Sequence, residues 1–381
     1  MRKCPLSYQL VEERYQLPAL RRLHPKLKDL QDLPYTSEEL RIESRERADR
    51  LSIQGVQPKL SARLNLKHQC FEIVDLQGRF IFKPQHADYS AVPENEDLTM
   101  KLAATAGLLV PPHGLVYGRD GDLTYWIQRF DRVGRNQKLS MEDFCQLSNE
   151  NRDTKYRSSL EKVWTVVQTY ATFPPVEAPR LLLLVLFSFL CGNDDQHLKN
   201  FSLLKEQNSV RLSPAYDLLN TTILLKNPFE TALPLRAKQR NLKAEDFLQY
   251  YAKERLQLQP SAVETVMNSI AQGIPKWPAL IQSSFLPTTM QVAYQKLVSS
   301  RSLRLGFHLL ELAPEQLQAL EHLGSSISEE VDQKLHRAFF RQLALQRSGQ
   351  RQCITQAQRE TALKRQEGLK DSVRAAYAAL C

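Results

Sequence analysis

Two carboxylates, an imidazole, an ammonium and amide side chains crowd into Cys191-Gly-Asn-Asp-Asp-Gln-His-Leu-Lys-Asn-Phe-Ser202, directly behind the apolar run 181–190. A loop that only had to turn would not need that set. Asp195 and Asn200 stand five apart, and Asp217 follows on the far side of 208–214. Hard oxygen donors in this layout suit magnesium held by Asn200 and Asp217 against phosphates. Asp195 is then left to position and deprotonate an attacking hydroxyl. The rival chemistry is metal-assisted hydrolysis by Asp194, Asp195, His197 and Asp217, which leaves Lys199 without a task.

A phosphate site needs an opposing cation, and the elements before the loop offer one. The segments 61–66, 70–74 and 78–84 alternate in polarity and read as an antiparallel meander turning at Gly78. On the third strand Phe80 and Phe82 share one face and Ile81 and Lys83 the other. Lys83 can therefore point beneath the loop Gln54-Gly-Val-Gln57, or simply reach solvent as a strand lysine does. A helix over 93–107 follows, opened by proline and acids and closed by Gly107. Its Glu96 lies within reach of Lys83. Two further strands, 110–115 and 123–132, end in Gln128-Arg-Phe-Asp-Arg132, a polar stop suited to a crossover.

Beyond residue 132 the pattern turns helical, with helices expected over 140–147, 160–170, 179–190, 243–255, 260–272 and 290–310. A hairpin over 201–204 and 209–212 leads to Asp217. Thr36 or Ser37 caps a short N-terminal helix ahead of Glu38 and Glu39. The chain of 381 residues, 42% apolar, is long enough for two lobes and an appendage. Four divisions are expected: a helical segment 1–50, a β-rich lobe 51–131, a helical lobe 132–310 and a helical extension 311–381. The formal charge of +9 suits a nucleic-acid-associated partner or an enzyme of anionic nucleotides and does not separate them. Six cysteines without a CxxC pair point to a reducing compartment. The apolar run before Cys191 is too short for a bilayer and reads as a buried helix. The basic start lacks a signal peptide's apolar run. A cytoplasmic, non-membrane protein is expected. His68, His86 and His113 read as surface or turn residues.

A glycine-containing loop, a strand lysine, a helix with an early glutamate, a crossover and an Asp-x4-Asn loop followed by a carboxylate describe a bilobal phosphotransferase. Six stretches carry a more specific likeness: 52–61, Phe82-Lys-Pro84, Pro93-Glu-Asn-Glu96, Arg129-Phe-Asp-Arg132, 192–202 and 212–221. In order and spacing they resemble the HipA-like serine/threonine kinases of bacterial toxin–antitoxin systems, over roughly residues 50–310. The resemblance implies an α+β, bilobal, protein-kinase-like fold with a β-rich N-lobe, a helical C-lobe and a C-terminal helical extension. It implies ATP and magnesium as cofactors. Ser52, Gln54, Gly55, Val56, Gln57 and Lys59 form the loop over ATP, and Ser52 is the autophosphorylated serine. Lys83, paired with Glu96, binds the phosphates, and Gln128 and Phe130 lend backbone groups to the adenine. Asp195 is the catalytic aspartate, supported by His197, with Lys199 on the transferred phosphate and Asn200 and Asp217 on the metal.

About fifty residues before Ser52 make the chain similar to the compact HipT-like branch. That branch implies a protein substrate such as an aminoacyl-tRNA synthetase. It also implies small antitoxin partners, one a helix-turn-helix protein that brings indirect DNA association and one a separate N-subdomain-like protein. A small-molecule phosphotransferase and a non-catalytic binding module are the alternatives.

Overall fold

Alternation over 60–83 and 113–128 builds the sheet that carries Lys83. The structure, a computed structural model, describes residues 1–48, 59–134, 137–225 and 228–307. Ser52, Gln54, Gly55, Val56 and Gln57 of the expected ATP loop, and the extension 311–381, lie outside the described residues. Residues 1–298 pack as one unit, and a second begins at Ser299.

In chain order the first elements are β1 (Arg2–Lys3), β2 (Leu10–Val11), α1 (Leu17–Leu23), α2 (Ser37–Ala48), β3 (Leu60–Asn65), β4 (Cys70–Ile73) and β5 (Phe80–Lys83). They are followed by α3 (Val92–Thr105), β6 (His113–Tyr117) and β7 (Leu123–Gln128). β3 to β7 form a five-stranded antiparallel sheet in the order β4-β3-β5-β7-β6. Its two faces are used differently. Phe71, Phe80, Phe82 and Trp126 pack edge to face or tilted on one side. Leu20, Leu27, Leu30, Leu33 and Leu40 of the N-terminal segment complete that core. The opposite face carries Lys83 toward α3, as the period of two requires. At the start of α2, Thr36 and Glu39 form a reciprocal capping box, with Thr36 N donating to Glu39 Oε2 at 2.7 Å and Glu39 N to Thr36 Oγ1 at 3.2 Å.

The second part comprises β8 (Arg132–Val133), β9 (Gln137–Lys138), β10 (Ser140–Asp143), α4 (Phe144–Leu147), α5 (Leu160–Tyr170) and α6 (Pro174–Cys191). Then come β11 (Ser202–Glu206), β12 (Ser209–Leu212), a π-helix over Asp246–Arg255, α7 (Pro260–Gly273), α8 (Trp277–Ser283) and α9 (Thr288–Arg304). The architecture is mixed, with a curled sheet lobe followed by a helical region, a bilobal arrangement as expected.

Three local expectations are corrected. The helix expected over 140–147 starts only at Phe144: Ser140–Asp143 is a strand paired antiparallel with β11, and Asp143 rather than Ser140 caps α4 by accepting from Gln146 N at 2.9 Å. A partner strand sixty residues away overrides the local capping signal. α6 begins at Pro174 rather than Pro179: Pro174 and Pro175 open the first turn, where no helix N–H is needed, and Pro179 lies inside the helix at the loss of one backbone bond. At this length it is long and apolar enough to cross a membrane by length and composition alone. Here Leu181, Leu182, Leu186, Phe187, Phe189 and Leu190 are wholly buried, so it serves as the core helix expected. Finally, His113 is no surface turn residue; its Nδ1 lies 2.9 Å from Asp97 Oδ1 in a buried cluster with Tyr8 and Lys101. Cys4, Cys70, Cys145 and Cys191 are free thiols.

Candidate active site

Lys83 is where the two parts of the site meet. Its Nζ donates to Glu96 Oε1 on α3 at 2.6 Å and also to Asp217 Oδ1. Lys83 is 4% exposed and Glu96 fully buried. Burial alone would lower the Lys83 ammonium, but the Asp217 and Glu96 carboxylates outweigh it and hold it above the usual lysine range. Burial likewise pushes Asp217 up, and the Lys83 and Lys59 ammonium groups more than reverse it, keeping the carboxyl well below its usual range. Lys59 feels Asp217 most strongly, then burial and Lys83, and its ammonium falls below the ordinary value. Asp217 adopts a left-handed φ of +57°, a backbone strain that persists where surroundings dictate it.

The loop at the end of α6 is held partly by its own amides and partly by residues outside it. Gly192 closes the helix at φ +80°, and a Cβ there would stand 2.6 Å from Asn220 Oδ1. Asn193 Nδ2 donates to Gln196 Oε1 at 2.7 Å, and Gln196 Nε2 to Asn200 O at 2.9 Å. Asn200 Nδ2 donates to Asp195 O at 3.0 Å. Asp194 is bonded to Thr221, whose hydroxyl also receives Asp194 N at 2.8 Å. The 192–200 and 217–221 stretches are thus braced against each other. A second brace reaches α3: Asn95 Nδ2 donates to Asn220 O at 2.9 Å, and Asn220 N returns to Asn95 Oδ1 at 2.8 Å.

Around Asp195 the structure adds residues that sequence reasoning missed. Tyr156 donates its hydroxyl to Asp195 Oδ1. Lys155 Nζ lies 2.7 Å from His197 Nε2. Burial, reinforced by Lys155, lowers the His197 imidazole below its usual value despite Asp195. A neutral ring accepting at Nε2 carries its proton on Nδ1, a buried atom with no partner among the described residues. Lys155 and Tyr156 sit in an irregular stretch with no spacing that links them to Asp195, so only the fold could find them.

A cluster of this kind can hold a magnesium nucleotide. Asp217 and Asn200 offer hard oxygens, and Lys59 and Lys83 bring two ammonium groups to the same carboxylate. Among the described residues no three His, Cys, Asp or Glu side chains gather as a metal site of their own. Of the hydrolase grouping, Asp194 is bonded to Thr221 and His197 to Lys155.

The model of the HipA-like C-terminal domain matches residues 51–277. The chain belongs to this family. A candidate kinase of Haemophilus influenzae is 28% identical over 222 residues, covering 55% of this chain and 64% of its own length. The match thus spans less than two thirds of that relative. The candidate kinase Y4dM of Sinorhizobium fredii is 30% identical over 293 residues, 73% of this chain and 70% of its own. Among solved structures, a chain of the Shewanella oneidensis HipA, HipB and operator DNA toxin–antitoxin complex superposes with a TM-score of 0.55. At 21% identity over 74% of each chain, that is a likeness of fold.

Within this HipA-like frame Lys59, Lys83, Glu96 and Asp217 come together electrostatically, and Asp195, His197 and Asn200 share one loop. Lys199 turns elsewhere, its Nζ 3.3 Å from Asp143 Oδ2. Gln128 uses its backbone N–H inside the lobe, donating to Pro112 O at 2.8 Å. The Phe130 ring lies 5.7 Å from that of Tyr216, whose hydroxyl donates to Lys199 O at 2.9 Å.

Proposed function

We propose that this chain is an ATP- and magnesium-dependent serine/threonine protein kinase, acting as the toxin of a HipA-like toxin–antitoxin pair in the cytoplasm. The observation that carries the reading is the buried Lys83 ammonium shared between Glu96 and Asp217, with the Asp195–Asn200 loop braced to the same stretch. Nucleotide sits between a lobe of residues 51–131 and one of 132–310. Lys83 and Lys59 bind its phosphates, and Gln128 and Phe130 border the adenine. Asn200 and Asp217 hold magnesium, which when bound neutralises charge developing on the transferred phosphoryl group. Asp195 orients the acceptor hydroxyl and takes its proton at a carboxylate oxygen. His197 keeps the loop in register through Lys155, and Lys199 serves the phosphate if it leaves Asp143.

Ser52 is the autophosphorylation site in this reading, where about two negative charges beside the nucleotide phosphates switch the enzyme off. The compact HipT-like organisation implies an aminoacyl-tRNA synthetase as substrate. Its partners are a helix-turn-helix antitoxin, through which the complex reaches DNA, and a separate N-subdomain-like protein. The test is incubation of purified chain with ATP and magnesium beside Asp195→Asn, with phosphosites read by mass spectrometry. Asp195-dependent phosphate on Ser52 supports the reading. Phosphate transferred only to small molecules favours a metabolite kinase, and no transfer by either protein defeats both. Phosphoproteomics of cells expressing the two forms then names the substrate.

A further inference from the structure

Asp195 borders an open cleft of about 690 Å³ lined in part by Tyr156, Leu225, Phe229 and Pro234. The Tyr156 side chain forms part of that wall and is 45% exposed. Its position is fixed from behind. Arg157 N donates to Thr154 O at 2.7 Å and Ser158 N to Tyr156 O at 2.9 Å, which turns the segment tightly. Leu198 N donates to Lys155 O at 3.3 Å, tying the turn to the Asp195 loop. The Tyr156 ring meets His197 edge-on at 5.1 Å. Its hydroxyl is then the side-chain donor on the Asp195 carboxylate among the described residues. Burial and the carboxylate it bonds raise the phenol above its usual range, so it remains a donor across the physiological range.

We propose that Tyr156 holds the acceptor's place at Asp195, keeping water off the carboxylate until the hydroxyl of a polypeptide acceptor displaces it. The inference rests on the phosphotransferase reading of Asp195. A hydroxyl donating to one oxygen of the proposed base is in the relation an acceptor must have. Water can replace that bond but makes no contact with Leu225, Phe229 or Pro234. A polypeptide can do both, so displacement favours the acceptor that also fills the cleft. Tyr156 is therefore a specificity residue directed against hydrolysis. In the suppressed side reaction a water oxygen bonds to the terminal phosphorus, the bond to ADP breaks and the water proton passes to Asp195.

The experiment compares acceptor-independent ADP release by the full chain, Tyr156→Phe, Tyr156→Leu and Tyr156→Phe/Asp195→Asn, after subtracting phosphate incorporated into protein. Tyr156→Phe keeps the ring against His197, and thermal unfolding checks that both single variants fold. Release should rise about tenfold in the single variants, a lowering of the barrier by about 1.4 kcal/mol, and vanish in the double variant. A side chain that merely supports the loop gives a loss instead. If wild type transfers phosphate in an Asp195-dependent way yet neither single variant releases ADP faster, this inference falls and the kinase reading stands. Phosphate found on Tyr156 itself also overturns it, since the residue is then an acceptor. If no form either transfers phosphate to protein or releases ADP in an Asp195-dependent way, the kinase reading and this inference fall together.

Discussion

Lys83 is the residue on which the site's charge balance turns. Replacing it by methionine leaves the buried Glu96 without its hydrogen-bonded cation and Asp217 with Lys59 alone. Breaking a buried pair from one side costs about 3 kcal/mol, and we expect Lys83→Met to lose that in urea unfolding. Adding Glu96→Gln should recover part of it, because the stranded charge is removed. Phosphate transfer should fall on the order of a hundredfold in both. Glu94 offers a pH test. It is 8% exposed, and burial raises its carboxyl to about 7, against Gln85, whose Nε2 donates to both its oxygens. A folded-state value above the unfolded one means the native state binds the extra proton. Stability from this group is therefore full below about pH 4.5 and falls as pH rises through about 7. Relative to wild type, Glu94→Gln should gain roughly 3 kcal/mol between pH 5 and pH 8. A gap independent of pH would contradict it. At this scale the sequence was informative where chemistry and period coincide. Lys83 is placed by strand alternation and Glu96 by its nearness to the start of α3. Tyr156 and Lys155 were hidden, since their stretch has neither period and they lie some forty residues from the loop they touch.

Among the elements, α3 carries the most consequence. Asn95 gives both of its amide groups to the backbone of Asn220, which is fully buried. Asn95→Ala strands a buried N–H and C=O at once, and the expected cost is about 3 kcal/mol. Asp217 lies three residues before Asn220, so transfer should drop further than unfolding alone accounts for; equal losses would sink the link. Gly192→Ala tests the other brace. A left-handed φ of +80° and a Cβ 2.6 Å from Asn220 Oδ1 make alanine unfavourable twice over. Destabilisation above about 1 kcal/mol is expected. The main sheet and helices such as α5 and α7 were readable because their polarity is periodic and Ser159 or Pro260 marks the start. β10 was not: Ser140-Met-Glu-Asp143 has a helix-opening composition, and only pairing with β11 makes it a strand.

For the whole molecule, ligand binding and stability are one quantity. If magnesium and ATP occupy the site, nucleotide at a hundred times its Kd adds about 2.7 kcal/mol of stability. The melting temperature of wild type should rise accordingly, that of Lys83→Met should not, and Asp217→Asn should lose the magnesium dependence. An identical rise in all three proteins would place the nucleotide elsewhere. The same large-scale view bears on how the protein can move. α3 is fastened not only at Asn220. Thr99 Oγ1 lies 2.9 Å from Tyr294 OH, Trp277 Nε1 donates to Thr105 Oγ1 at 2.8 Å, and Ser269 Oγ donates to Ala106 O at 2.8 Å. A swing of this helix has to break all of these with the Asn95 pair, and the bonds of Asn95 and Thr99 are buried. These bonds therefore act together as clamps that keep Glu96 where it meets Lys83.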